Sequence, residues 1–177
     1  INKIQNSLNS AGYYFNKVDV NLKTNNNETV DLIYNIDLGD KALIKNIIFT
    51  GEKYYKDKKL KNIIVSEESK FWKFISNKKY LNPNQINLDI RLLEKFYLNK
   101  GFYNVQIKNS SAIFNDNHFN LVYNIDAGNI YTIRNTKLIL PDDFDEKDFN
   151  EVKNVLKDLK EKRYSLNKLN KVVKQID

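Results

Sequence analysis

The chain has no cysteine and no methionine, one histidine, two prolines and five glycines in 177 residues. Without cysteine there is no disulfide, no thiolate-bound zinc and no thiol nucleophile. A single histidine, His118, rules against multi-histidine metal sites and against a Ser-His-Asp triad. Five scattered glycines build no phosphate-cradling loop. No apolar run approaches the ~18–20 residues a helix needs to span a bilayer. No charged-then-apolar leader opens the chain, and Ile1-Asn2-Lys3 already falls in a helical pattern, as expected of a piece of something longer.

What is present suits a folded protein. Hydrophobic residues make up 41% and charged residues 29%, enough apolar material for a core and too little net charge for disorder. The net charge of +7 raises the question of nucleic acid. The lysines are, however, interleaved with acids along the whole chain. Their densest run, Lys56, Lys58, Lys59 and Lys61, falls in one short helix and reads as a solvated face. Nucleic acid is therefore not an expected partner, and a basic nucleic-acid-binding module stays only as the lesser alternative.

The strongest internal signal is a repeat. Residues 31–39 read DLIYNIDLG and residues 120–128 read NLVYNIDAG, 89 positions later. The same offset links Gly12 to Gly101, each opening an aromatic stretch, GYYFNKVDV and GFYNVQI. It also links Leu43-Ile44-Lys45-Asn46 to Thr132-Ile133-Arg134-Asn135.

One full unit runs from about residue 43 to 128. Leu43 to Thr50 is rich in β-branched and aromatic residues and stops at Gly51, a strand. Asp57 sits where a helix N-cap is wanted, before Leu60, Ile63 and Ile64. An aromatic loop, Phe71-Trp72-Lys73-Phe74, follows. Asn82 then caps a second helix, with Pro83 at its first position and Gln85 placed for a capping box. Ile86, Ile90, Leu93 and Tyr97 make one apolar stripe, and Gly101 ends the helix. Val105 and Ile107 alternate with polar residues toward Phe114, Asn115-Asp116-Asn117 is a turn, and Phe119, Leu121, Tyr123 and Ile125 alternate with period two. The expected fold class is α+β: tandem β-α-α-β-β units, each a three-stranded mixed sheet covered by two helices.

The flanks read as parts of the same unit. Residues 1–42 supply a second helix, striped by Ile1, Ile4 and Leu8, and a closing hairpin. Residues 129–177 supply an opening strand, Ile130 to Leu140, a helix at about Glu146 to Leu159, a tyrosine, Tyr164, corresponding to Tyr80, and a second helix from Leu166. The expected division is 1–42, 43–128 and 129–177, with short joints at Gly39-Asp40 and Gly128-Asn129 giving a semi-rigid rod.

The segment SKFWKFISNKKYLNPNQINLDIRLLEKFYLNKGFYNVQI, followed by YNIDAG, resembles the polypeptide-transport-associated (POTRA) domains of outer-membrane β-barrel assembly factors. It is most similar to the third of such a series. Residues 1–42 then resemble the end of a second domain and 129–177 the start of a fourth. Gly51-Glu52 and Pro141-Asp142 depart from the usual Gly-Asn after the first strand. The resemblance implies a non-enzymatic scaffold at the periplasmic face of a Gram-negative outer membrane. It also implies unfolded outer-membrane protein precursors, accessory lipoproteins and the protein's own C-terminal β-barrel as partners. POTRA domains also occur in two-partner secretion transporters and organelle import barrels, so those readings stay open.

No residue set suggests catalysis, a cofactor or a metal. Glu67-Glu68 and Asp142-Asp143 lack calcium-loop spacing, and Asp142-Asp143 precedes a helix, where negative charge is favourable. His118, entering a strand, reads as an exposed polar position. The fold does offer an unpaired sheet edge, which the resemblance assigns to the strand Val105 to Phe114. Its backbone would accept an extended chain by β-augmentation, with Val105, Gln106, Ile107, Lys108, Asn109, Ile113 and Phe114 as the candidate binding residues. Lys108 reads equally as a charge that keeps this edge from aggregating. Phe71, Trp72 and Phe74 form a candidate docking loop or brace their own core. The joint from Asp37 to Leu43 is a third candidate surface.

Overall fold

A computed structural model describes residues 1–71, 76–115 and 118–176. In chain order the elements are α1 (Asn2–Ser10), β1 (Lys17–Thr24), β2 (Val30–Asp37), β3 (Ile44–Glu52), α2 (Asp57–Lys61), α3 (Pro83–Leu98), β4 (Gln106–Asn115), β5 (His118–Asp126), α4 (Asn150–Leu159) and α5 (Leu166–Ile176). Single 3₁₀ turns at Asn77–Lys79 and Glu146–Phe149 precede α3 and α4.

The middle of the chain holds a mixed three-stranded sheet in the order β3-β5-β4. β3 runs parallel to β5, and β4 is antiparallel to it. The alternation in β5 produces this arrangement. Phe119, Leu121, Tyr123 and Ile125 are all buried, while the residues between them are half-exposed. Their face meets Ile44, Ile47 and Phe49 of β3, Leu60 of α2, and Leu93 and Tyr97 of α3 in one core. Asn82 caps α3, accepting from the N–H groups of Asn84 (2.9 Å) and Gln85 (3.4 Å), with Pro83 at the first turn. The Tyr97 hydroxyl donates to the Lys53 carbonyl, and burial pushes its pKa up.

The local expectations need four corrections. Asp57 is not a cap: α2 starts at Asp57 behind Lys56, no side chain caps it, and Asp57 instead pairs with Lys53 at 2.5 Å. The capping box is half made, because Gln85 Oε1 finds no partner. Residues 130–140 form no strand beyond a bridge from Thr132 to Arg163. They have β propensity, but no described strand lies beside them to satisfy their backbone, whereas β3 has β5. Finally, Arg163 rather than Tyr164 takes the place of Tyr80, since the bridge Leu43–Tyr80 recurs as Thr132–Arg163.

The repeated motif shows how far burial depends on neighbours. β1 and β2 pair antiparallel from Lys17↔Asp37 to Thr24↔Val30, but every residue of β2 is exposed. Val30, Leu32, Tyr34 and Ile36 correspond by the 89-residue offset to the buried Phe119, Leu121, Tyr123 and Ile125. β5 lies between two strands; β2 has one among the described residues. In α1, likewise, no residue is fully buried, and Ile1 is exposed.

The two joints share one hydrogen-bonding scheme. At the first, Ala42 N–H donates to the Gly12 carbonyl (3.0 Å) and Leu81 N–H to the Ala42 carbonyl (2.7 Å). At the second, Tyr131 N–H donates to Gly101 (2.8 Å) and Tyr164 N–H to Tyr131 (2.9 Å). A side-chain bond crosses each joint as well, from Asn82 to the Ser10 carbonyl (2.6 Å) and from the Ser165 hydroxyl to Asn99 (3.2 Å). Gly12 and Gly101 adopt φ of +93° and +97°. A Cβ on Gly12 would stand 2.9 Å from Cβ of Tyr80, so a side chain there would clash with the next segment.

Candidate protein-binding edge

A three-stranded sheet has two outer rims, and the chain treats them differently. The outer rim of β3 is covered over its first half. Ser69 N–H donates to the Ile44 carbonyl (2.7 Å), and Ile47 N–H donates to Glu68 Oε1 (3.0 Å). Burial pushes the Glu68 carboxyl up, but the hydrogen bond from Lys61 (2.5 Å), the Ile47 N–H and the charges of Lys61 and Lys70 outweigh it and hold its pKa below the ordinary value.

This covering segment is fastened from inside by Asp89. Its carboxylate is fully buried on the core face of α3. Oδ1 accepts from the N–H groups of Val65 (2.6 Å) and Ser66 (3.2 Å), and Oδ2 accepts from the Tyr123 hydroxyl (2.6 Å). Burial, then the Asp89 charge, raises the Tyr123 pKa. Helix α3, the central strand and the loop after α2 therefore meet on one buried carboxyl group. The sequence carried a signal for it: Asp89 is three residues after Ile86 and four before Leu93, a charge inside the apolar stripe.

The outer rim of β4 has no partner strand among the described residues. Among the described residues, β4 pairs only with β5, and Ser110 to Asn115 are exposed. Asn115 stands opposite His118 with two residues between them, which makes that pair the hydrogen-bonded kind. Strict alternation then gives Ser111 and Ile113 their bonds to β5. It turns the N–H and C=O of Ser110, Ala112 and Phe114 outward.

The N-terminal part of the strand is protected. A β-bulge lies between Ile107 and Asn109. Lys108 in the bulge pairs with Asp126 at 2.7 Å. That hydrogen bond and charge raise the Lys108 pKa and lower that of Asp126. Val105 lies ahead of the strand, its N–H turned back to Phe102 (3.3 Å), and both Val105 and Ile107 pack against the core. Neither is therefore placed to meet an added strand. Gln106 opens the strand and is exposed. Ile113 and Phe114 are 53% and 49% exposed. The regular open stretch is thus Ser110 to Phe114, shorter than the expected one. Ser110 and Ala112 fall inside the strand expected at this edge, though not among its candidate side chains, because small residues carry no signal.

Of the aromatic loop, Phe71 is 81% exposed, while Trp72 and Phe74 lie outside the described residues. At the joint, Asp37 accepts from the Gly39 N–H (3.1 Å). His118 opens β5 half-buried rather than exposed. No group of His, Cys, Asp or Glu among the described residues could hold a metal ion.

A mixed three-stranded sheet backed by two helices, with β3 and β4 at its two rims, defines a β-α-α-β-β module. Residues 42–128 match the POTRA family, described as the surface antigen variable number repeat, and this segment belongs to it. The outer membrane protein assembly factor BamA of Buchnera aphidicola subsp. Acyrthosiphon pisum is 29% identical over 126 residues, 71% of this chain and 18% of that protein. BamA of Neisseria meningitidis serogroup B is 28% identical over 87 residues, 49% of this chain and 11% of that protein. The chain thus spans less than a fifth of either relative. The crystal structure of Haemophilus influenzae BamA POTRA3-5 shares the fold, with a TM-score of 0.61 at 12% identity over 99% of this chain and 66% of that one.

Proposed function

We propose that the chain is a non-enzymatic scaffold from the periplasmic arm of an outer-membrane protein assembly factor. It would take up unfolded β-barrel precursors, and the strands of accessory lipoproteins, by β-augmentation along Ser110–Phe114. Residues 1–42, 43–128 and 129–177 would be the end of one POTRA domain, a whole one and the start of another, leading toward a C-terminal barrel. The supporting observation is the asymmetry of the sheet: Glu68 and Ser69 cover β3 at Ile44 and Ile47, and among the described residues no segment covers β4 in the same way. The homology to BamA supports the assembly role.

The energetics suit transient holding. Three outward residues offer six backbone groups. At roughly 0.5–1.5 kcal/mol net per hydrogen bond, they contribute about 3–9 kcal/mol. Ordering about five partner residues costs about 1–2 kcal/mol each. The two nearly cancel, so side-chain contacts decide the affinity, and it stays low. A client that must move on to a barrel needs such a hold.

The test is a solution titration with strand-forming peptides, following backbone amides. Perturbations centred on residues 110–114 are expected. Perturbations confined to β3 or to the helices would refute the edge assignment.

A further inference from the structure

We infer that the cleft between α2 and the segment from Ile64 to Lys70 receives an acidic segment of a partner polypeptide, one of whose carboxylates meets Lys58 and Lys61. This cleft is lined by Ile47 of β3 and stands apart from the edge on β4.

Residues 53–70 carry six lysines against three acids, so this short stretch supplies nearly half of the chain's net charge of +7. The fold does not spread these lysines evenly over solvent. Lys59 turns over the Phe96 ring at 5.9 Å. Lys58 and Lys61, one helical turn apart, instead line a cleft of about 610 Å³. The opposite wall holds Ser66, Glu67, Glu68 and Lys70, and Ile47 and Ile64 give the cleft its apolar surface.

Each carboxylate on these walls already has a donor from the chain itself. Asp57 pairs with Lys53 at 2.5 Å, Glu68 takes Lys61 and the Ile47 N–H, and Glu67 accepts from the Ser76 hydroxyl at 3.4 Å. The donors are not used up in return. Lys58 makes no ion pair among the described residues. Lys61 has three N–H groups and gives one to Glu68. Ser66 is 3% exposed, and its hydroxyl is buried without a hydrogen-bond partner. The charges of Lys61 and Lys70 both lower the Glu68 pKa, which puts the two ammoniums around the same space. An incoming carboxylate supplies the acceptor that these donors lack, and the isoleucines take the methylene stem behind it. A nucleic-acid backbone wants a stripe of cations, whereas these converge on one cleft. Lys58 is exposed and Lys61 half-buried, so the hold is weak and sensitive to salt.

The test titrates three probes into the chain, reading the amides of residues 57–70: a short peptide with consecutive glutamates, its glutamine counterpart, and inorganic phosphate. The glutamate peptide should bind about tenfold more tightly than the glutamine one, the scale of a few exposed ion pairs. Raising the salt to about 1 M should remove that difference. Lys58→Gln should weaken the glutamate peptide about threefold, and Lys58→Arg should restore it. Lys171→Gln removes the same charge from an exposed position on α5, outside the cleft, and should change nothing. Equal binding of the two peptides would overturn the site. So would equal weakening by Lys58→Gln and Lys171→Gln, because net charge alone would then be read. Phosphate perturbing the same amides as strongly as the glutamate peptide would overturn a polypeptide as the occupant. The amides of residues 110–114 report separately on the edge of β4, so either site can fail without the other.

Discussion

Replacing Asp89 by alanine should destabilise the chain by about 3–5 kcal/mol and open the wrong edge of the sheet. The substitution leaves the Val65 N–H, the Ser66 N–H and the Tyr123 hydroxyl without the acceptor that now sits 2.6, 3.2 and 2.6 Å away. Each orphaned buried group costs roughly 1–3 kcal/mol, so three give ~3–9 kcal/mol before any water enters the space left behind. Water can satisfy part of this, which brings the expected loss to the lower end. Tyr123→Phe removes one donor and leaves Oδ2 bare, for about 1–3 kcal/mol. The double variant should cost less than the two singles combined, because with Asp89 gone the hydroxyl is already unpartnered. Urea unfolding followed by circular dichroism measures all three. With Val65 and Ser66 released, the segment carrying Glu68 and Ser69 should lift from β3, and the variant should self-associate through that newly bare rim. A loss below about 1 kcal/mol for Asp89→Ala, or strict additivity in the cycle, would refute the network.

Three further outcomes follow from the same geometry. Ala112→Pro should keep the fold, since its N–H points away from β5, but abolish peptide binding; Ser111→Pro should lose a ladder bond and cost about 3 kcal/mol or more in urea unfolding. Gly12→Ala should lower the unfolding free energy measured in urea by about 1–3 kcal/mol, because φ of +93° strains any side chain and Tyr80 stands in its way. The Glu68 carboxyl has a folded pKa below its ordinary 4.5. Its stabilising contribution is complete above that value and is lost as pH falls through the lower folded one. Glu68→Gln should therefore be less stable than the parent at neutral pH and should show a shallower loss on acidification.

The repeat, the stripe of α3 and the alternation of β5 were legible because each rests on local periodicity that the core then enforces. Residues 130–140 misled for the opposite reason: β-branched composition gives a propensity, but a strand also needs a neighbour. Val30 to Ile36 make the same point from the other side, with nearly the sequence of β5 and none of its burial. The edge was legible in topology but not in extent, because the bulge at Lys108 that shortens it arises from register. Asp89 stands out only as a charge inside the apolar stripe of α3, a weak signal in a chain rich in charged residues whose ordinary place is in water.

The open rim is tested most directly by amide hydrogen exchange on β4, residue by residue. In the free chain, Ser110, Ala112 and Phe114 should exchange fast while Ser111 and Ile113 stay protected by β5, and a bound strand should slow the first three alone. Slow exchange at Ser110, Ala112 and Phe114 before any partner is added would mean that this rim is already sealed and the proposed mode of binding is wrong.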